Sequence, residues 1–471
     1  MVSRLRPAAV AALSLALIGA ACSGRSSSSS TTTAAPTTAA PAASTTTAAA
    51  AAAPGPGDFG TLKGVCGPGT ASGATDKGVT DTGIRVATMA DPGNTAVPGL
   101  DIELFQTSLA FVDWCNAAGG ILGRKLTLDK RDSALFNVAA QMVASCQQPD
   151  FMLIGNGEAF DATGVQQRES CGLAEIPAYD VSAAAGGSSS TIQPLPTPDS
   201  ESTIGGAFKA LKAFDPASAN FYGLLNSNQQ SVKDSGNRDK AAAALLGYKQ
   251  VFYQEIPPLV TNWRPYAQAI QAAGVQVLGI QSQANQDTAL FKAFADIGYF
   301  PKWVLLNTNN YDPVMVTEGG TNLDKFPGGV LVSGRFAPFE LAAAHPDQYP
   351  ATVQFVNIIK QYQNVPAKAL GINSFSAWLL WAEGAKSCGS NLTRACVMAY
   401  AAGVKNWTAG GLHDTENPGN AKADTSPCFT IIKATSDGSW PLQPQITKPN
   451  QGIFNCDPGN IIKLPGFPQS S

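Results

Sequence analysis

Amides, hydroxyls and one carboxylate recur in this sequence just after short runs of β-branched and aliphatic residues. Asn94 and Thr95 follow Gly83-Ile-Arg-Val-Ala-Thr88, and Asn156 and Glu158 follow Phe151-Met-Leu-Ile-Gly155. Tyr179 and Ser182 belong to the stretch Ile176–Ser182. Further on, Asn226 follows Asn220–Leu225, Gln286 follows Val275–Ile280, and Asn307 and Tyr311 follow Trp303–Leu306. Such groups can aim dipoles at a polar solute, and a tyrosine ring can cover an apolar part of it. Asn is also a common turn former, so each residue alone reads equally well as turn chemistry.

Covalent chemistry finds less support. A hydrolase needs an activated nucleophile, a base and a group that orients the base. The sequence has no Gly-x-Ser-x-Gly elbow and only two histidines, His345 before a proline and His413 in Gly411-Leu-His, both in loop-like contexts. Asp129 and Asp132 read as strand-end and surface charges. Gly155-Asn-Gly157 starts like a dinucleotide fingerprint, but Phe160 stands where the third glycine belongs. There is no Walker A and no Cys-x-x-Cys, so no cofactor and no metal are expected. A net charge of −3 with 14% charged residues gives no bias toward nucleic acid. The residues point to binding, with a small-molecule solute as the partner.

The elements that must carry these loops alternate. Gly78 to Ser133 reads as strand, loop, helix, turn, strand: the helix keeps Phe105, Leu109, Val112 and Cys115 on one face, and Gly119-Gly120 stops it. A helix is expected over 134–146. After Gly186–Ser190 and Thr191–Pro196 mark a boundary, a second series follows. It comprises helix 201–214, strand 220–225, helix 234–246, strand 249–254, helix 263–273, strand 275–280, helix 286–297 and strand 303–306. Gly328–Gly334, a helix at 372–386 and a strand at 429–433 complete the pattern. In the helix, Trp378 and Trp381 read as packing residues. Alternation of this kind builds doubly wound parallel sheets.

Two strings, "GVTDTGIRVATMADPG" and "NAAGGILGRKLTLDKRDS", resemble the start of the branched-chain amino-acid type of extracytoplasmic solute-binding protein, the receptor of an ABC importer. "GVQVLGIQSQANQDTALFKAFADIGY" and "INSFSAWLLWAEGAK" resemble later parts of that family. The resemblance implies a type I periplasmic binding protein fold: α/β, with two doubly wound lobes joined by a multi-strand hinge. The lobes would comprise 58–193 plus 338–412 and 196–335 plus 413–471, with ligand in the cleft between them. It implies ABC permease subunits as partners and a monomer. A ligand-sensing ectodomain of the same fold is the alternative, and a secreted hydrolase is disfavoured. The family's second-lobe acid, which pairs with an amino-acid ammonium, matches Gln286 here when counted back from Gly298. A neutral amide there argues against free leucine, isoleucine or valine as the main ligand; a one-residue slip would place Asp287 there instead.

Arg4 and Arg6 precede an apolar run, Ala8–Ile18, too short to span a bilayer, so residues 1–21 read as an export signal. Leu17-Ile-Gly-Ala-Ala-Cys22 is similar to a lipoprotein box, departing from it at Gly19. That similarity implies lipidation of Cys22 and anchorage at the outer face of the cell membrane, with simple cleavage near Ala21 as the alternative. Residues 22–57 hold little but Ser, Thr, Ala, Pro and Gly and read as a disordered linker. Setting Cys22 aside, eight of the nine cysteines remain, an even number that suggests disulfides in an exported chain. Roughly a hundred pairings are possible. Sequential pairs would stay within a lobe and leave a hinge free: Cys66 with Cys115, Cys146 with Cys171, Cys388 with Cys396, and Cys428 with Cys456. The resemblance favours the second, since the family often has a bridge of similar spacing.

Overall fold

The computed structural model describes residues 55–95, 97–196, 201–420 and 425–467. The expected export signal, Cys22 and all but the end of the linker lie outside the described residues.

The first sheet holds β1 (Gly83–Ala90), β2 (Lys125–Asp132), β3 (Leu153–Ile154) and β4 (Glu175–Ile176) in the order β2-β1-β3-β4, all parallel. The helix Ile102–Ala118 crosses over between β1 and β2 and buries Leu104, Phe105, Phe111, Val112 and Trp114. It ends where the two glycines allow left-handed backbone, φ 122° at Gly119 and 84° at Gly120. A Cβ on Gly120 would stand 2.1 Å from the Arg124 carbonyl oxygen, so no other residue fits this turn.

The second sheet is built from β6 (Tyr222–Ser227), β7 (Gln250–Ile256), β8 (Val277–Ile280), β9 (Trp303–Leu306), β10 (Gly329–Gly334) and β11 (Thr430–Ala434). Its order is β11-β10-β9-β8-β6-β7, parallel except for the antiparallel β10–β11 pair. β5 (Ser202–Ile204) and β12 (Ile461–Lys463) form a separate antiparallel pair. The 20-residue helix Ala369–Cys388 is buried on nearly every side, with Trp378 and Trp381 both fully enclosed as packing residues. Trp378 Nε1 donates to Ser108 Oγ at 2.8 Å.

Two expected helices begin later than the sequence suggests. Within 201–214, Ser202–Ile204 is strand β5 and the helix runs Gly206–Phe214. The β-branched pair Thr203 and Ile204 finds its partner in Ile461 and Ile462, far away in sequence. Within 134–146, Ala134 and Leu135 have positive φ, because the Leu135 N–H turns to Asp91 Oδ1 (2.8 Å), and the helix starts at Val138. The histidine contexts also differ: His345 caps the helix Phe339–Ala344 and is exposed, whereas His413 is buried.

The chain passes between the sheets near Pro196, at Gly334–Ala337 and at Leu412–Glu416. The last two passages pair: Phe336 bridges His413, and the Asp414 N–H donates to the Arg335 carbonyl at 3.0 Å. Four disulfides close Cys66–Cys115, Cys146–Cys171, Cys388–Cys396 and Cys428–Cys456. The first ties two residues 49 apart, which in the chain-entropy account stabilises by ~4 kcal/mol. A Cys66→Ser/Cys115→Ser double variant should therefore unfold at a markedly lower denaturant midpoint with an unchanged folded-state far-UV spectrum. An unchanged midpoint would contradict that role.

Candidate functional site

Strand alternation decides what faces the space beyond the second sheet. Residues two apart share a face. On one face lie Tyr222 and Leu224 of β6, Gly279 of β8 with Gln281 just past it, Leu305 of β9 with Asn307 just past it, and Ser333 of β10 with Arg335 just past it. All of them line one cavity of about 370 Å³. The inner members are apolar or aromatic, and the strand-end members are polar. The first lobe contributes Tyr179, Asp180 and Val181, which follow β4, together with Leu370.

The polar rim is wired together. Asn307 Nδ2 donates to Gln281 Oε1 at 3.0 Å, and Gln281 Nε2 donates to Asp239 Oδ2 at 2.8 Å. Burial pushes the Asp239 carboxyl up to about 6. Arg335 pairs with Asp414 (3.5 Å) and with Glu416, and its Nη1 makes a long contact of 3.5 Å with the Pro196 carbonyl. On the opposite side, the Tyr179 hydroxyl donates to Asp101 at 2.6 Å.

Behind Asp180 the first lobe is densely acidic. Burial, and then the nearby Glu175 and Asp161, hold the Asp180 carboxyl well above the usual range, and its Oδ2 has no hydrogen-bond partner. Glu158 is pushed up in the same way by burial and by Glu175. Asp161 rises to about 6 through burial, although it accepts from the N–H groups of Val181 (2.6 Å) and Ser182 (3.0 Å). Arg168 opposes this negative charge through Glu175, at 2.9 Å.

Of the residues expected in the cleft, Tyr179 and Asn307 line this cavity. Tyr311 lines a different, largely apolar one of about 380 Å³ with Phe339, Val356 and Trp440; its hydroxyl accepts from the Phe339 N–H (2.7 Å) and donates to Glu340. The others have structural partners. Asn94 Oδ1 accepts from the Val97 N–H at 3.3 Å, and Thr95 is exposed. Asn156 donates to Glu175 (3.2 Å) and Glu158 (3.4 Å), beneath the cavity wall. Ser182 caps the short helix Ala183–Gly186. Asn226 donates to the Lys233 carbonyl at 3.0 Å, and Gln286 accepts from the Val260 N–H at 2.9 Å. Neither Gln286 nor Asp287 lines the cavity, so the argument against leucine drawn from position 286 loses its footing. Sequence reasoning missed Asp180, Gln281, Ser333 and Arg335; the alternation within β10 would have found Ser333, and extending the alternation one step past β8 and β10 would have found Gln281 and Arg335.

Two α/β lobes facing across a polar-rimmed cleft define the type I periplasmic-binding-protein class, the class expected from the sequence. The chain belongs to the periplasmic binding protein family, whose sequence model matches residues 103–439. Among solved structures it resembles a fatty acid ABC transporter substrate-binding protein from Thermomonospora curvata, at 16% identity over 80% of this chain and 97% of that one, with a TM-score of 0.65. A leucine binding protein from Thermotoga maritima MSB8 follows the same fold at 13% identity over 76% and 97% of the chains, TM-score 0.61. So does a solute binding protein of an ABC transporter from Rhodopseudomonas palustris BisB5, in complex with 3,4-dihydroxybenzoic acid, at 14% identity over 74% and 93%, TM-score 0.59. At these identities the likeness is one of fold. No curated protein matches the sequence. Among the described residues, no helix is long and apolar enough to cross a membrane, and no cluster of His, Cys, Asp or Glu could hold a metal.

One buried acid near the cleft has a measurable signature. Asp287 is fully enclosed and accepts from the Ser282 hydroxyl, and burial pushes its carboxyl up to about 7. An unfolded aspartate titrates near 3.9, so between these values the folded chain holds the extra proton, and stability falls as pH rises through that window. Asp287→Asn should gain stability over wild type on going from pH 4 to pH 8, by on the order of a few kcal/mol. Melting curves at several pH values check this; a gain independent of pH would contradict it.

Proposed function

We propose that this protein is the extracytoplasmic solute receptor of an ABC importer, capturing a small organic solute between its lobes and delivering it to permease subunits in the membrane. The observation that carries this reading is a cavity walled by Tyr179 and Asp180 of one lobe and by Gln281, Asn307 and Arg335 of the other. A ligand touching both walls binds the closed arrangement better than the open one, and differential affinity is what a delivery cycle requires. Membership of a family of binding proteins agrees with it, as do similar structures named for a fatty acid, for leucine and for a dihydroxybenzoic acid. Tyr179 and Asn307 are direct ligand contacts in this reading, and Asn156, Glu158, Ser182 and Asn226 support the loops behind them.

The rest of the reading comes from the sequence. Residues 1–21 direct export, lipidated Cys22 anchors a monomer to the outer face of the membrane, and 22–57 tether the lobes 58–193 plus 338–412 and 196–335 plus 413–471. Lys368 Nζ reaches Asp312 Oδ2 at 2.9 Å, an ion pair from one lobe to the other that suits a closed state.

Thermal-shift screening against a library of organic acids, amino acids, amides and sugars tests the proposal. A ligand at a hundred times its dissociation constant stabilises by about 2.7 kcal/mol. The expected result is a compound class that shifts the wild type and loses most of that shift with Asn307→Ala and with Asp180→Ala. A shift equal in all three proteins would refute the cleft assignment.

A further inference from the structure

Two buried tyrosines of the second lobe, Tyr222 and Tyr248, pack edge-on against Phe208, with ring centroids 5.9 Å and 5.7 Å from it and 5.6 Å from each other. Their hydroxyls differ. Tyr248 donates to the Phe208 carbonyl at 2.7 Å. Tyr222 is only 1% exposed, yet its hydroxyl has no hydrogen-bond partner among the described residues. Buried polar atoms are almost always paired, and burying one without a partner counts against the fold. A phenylalanine would make the same ring contacts without that cost, so packing does not account for the hydroxyl.

Its position does. Tyr222 pairs in register with Val277, but its hydroxyl lies over Gly279, two residues nearer the carboxyl end of β8 and the cleft: a Cβ on Gly279 would stand 3.2 Å from the hydroxyl oxygen. Glycine at 279 leaves the room that the hydroxyl occupies, and both residues line the cleft cavity. The charges on the same wall act on each other, since Arg238 pulls the Asp239 carboxyl back down against the effect of burial. The Tyr222 hydroxyl is thus a neutral group with its donor and its acceptor both open. A solute hydroxyl can meet either, whereas a carboxylate or an ammonium meets only one and brings a charge to a group that carries none.

We infer that the solute carries a hydroxyl group that hydrogen-bonds to Tyr222 on the inner wall of the cleft, which makes Tyr222 a specificity-determining residue. This rests on the reading of the chain as a solute receptor and adds the polar group that its ligand presents to the second lobe. A solute hydroxyl supplies the partner that the chain itself does not, so what the buried hydroxyl takes from the stability of the free protein is returned on binding.

Two measurements on Tyr222→Phe test the inference. Without added solute the variant is expected to melt at or above the wild type, whereas Tyr248→Phe, which loses the bond to the Phe208 carbonyl, melts below it. With solute, isothermal titration compares compounds that differ in one hydroxyl: glucose and its monodeoxy forms, 4-hydroxyproline and proline, 4-hydroxybenzamide and benzamide, 4-hydroxybenzoate and benzoate, and any screened compound that shifts the wild type against its deoxy analogue. The wild type should prefer the hydroxylated member of a pair by about tenfold or more. Tyr222→Phe should erase that preference while keeping the affinity for the other member, and Gly279→Ala, which crowds the hydroxyl, should weaken it. Tyr222→Phe melting as far below the wild type as Tyr248→Phe, a preference that survives in Tyr222→Phe, or no preference in any pair overturns the inference. A compound whose thermal shift depends on Asn307 and Asp180 but not on Tyr222 also overturns it and leaves the receptor reading standing; no binding by any compound in either experiment removes both.

Discussion

The side chain of Arg335 holds together the passages between the two lobes, and the geometry of the cleft depends on it. It sits on one passage, pairs with Asp414 and Glu416 on another, and touches the Pro196 carbonyl on a third. Both carboxylates are almost wholly buried. Removing the guanidinium would leave them unpaired, which in buried pairs costs more than the pair itself contributes. The neighbouring His413 reinforces the same place. Its Nε2 lies 2.8 Å from the Ser376 hydroxyl, which also accepts from Trp407 Nε1 at 2.9 Å, so the last passage is fastened to the long buried helix. Burial holds the His413 imidazole down at about 3, neutral at any ordinary pH. Protons added between its unfolded value near 6.5 and that depressed value therefore act against the fold.

Around this clamp the lobes are joined by apolar contact as well. Aromatic rings run in steps from Trp440 to Tyr311 (4.8 Å), Phe339 (5.2 Å), Phe355 (6.1 Å) and Phe375 (5.3 Å), from the second lobe into the core of the first. The clamp borders the cavity that Arg335 helps to line, and the Lys368–Asp312 pair joins the lobes at a second place, next to Tyr311 of the ring path.

How much of this was legible in the sequence depended on how local the signals were. The strand and helix alternation was readable because apolar runs such as Trp303–Leu306 and the helix-ending glycines act through neighbours in sequence. β5 was not, because its partner lies at Ile461–Lys463 and pairing at that distance leaves no local trace. Of the residues in loops after strands, Tyr179 and Asn307 line the cavity, but residue type did not say which way a side chain turns. Asn226 donates to the Lys233 carbonyl and Asn156 to Glu175 and Glu158, as polar groups in such loops often must. Asp180 was passed over beside Tyr179, although the step from β4 into the cleft puts it on the cavity wall. Only the fold brings Asp414 and Glu416 to Arg335.

The central claim is that the solute lies between the lobes at the carboxyl ends of the second sheet's strands. A crystal structure with the most strongly stabilising compound from the solute screen tests it most directly. The account predicts ligand density in contact with Asp180 on one side and with Gln281, Asn307 or Ser333 on the other, with the Arg335 clamp intact. Density confined to one lobe's outer surface, or seated in the separate cavity among Tyr311, Phe339 and Trp440, would contradict it.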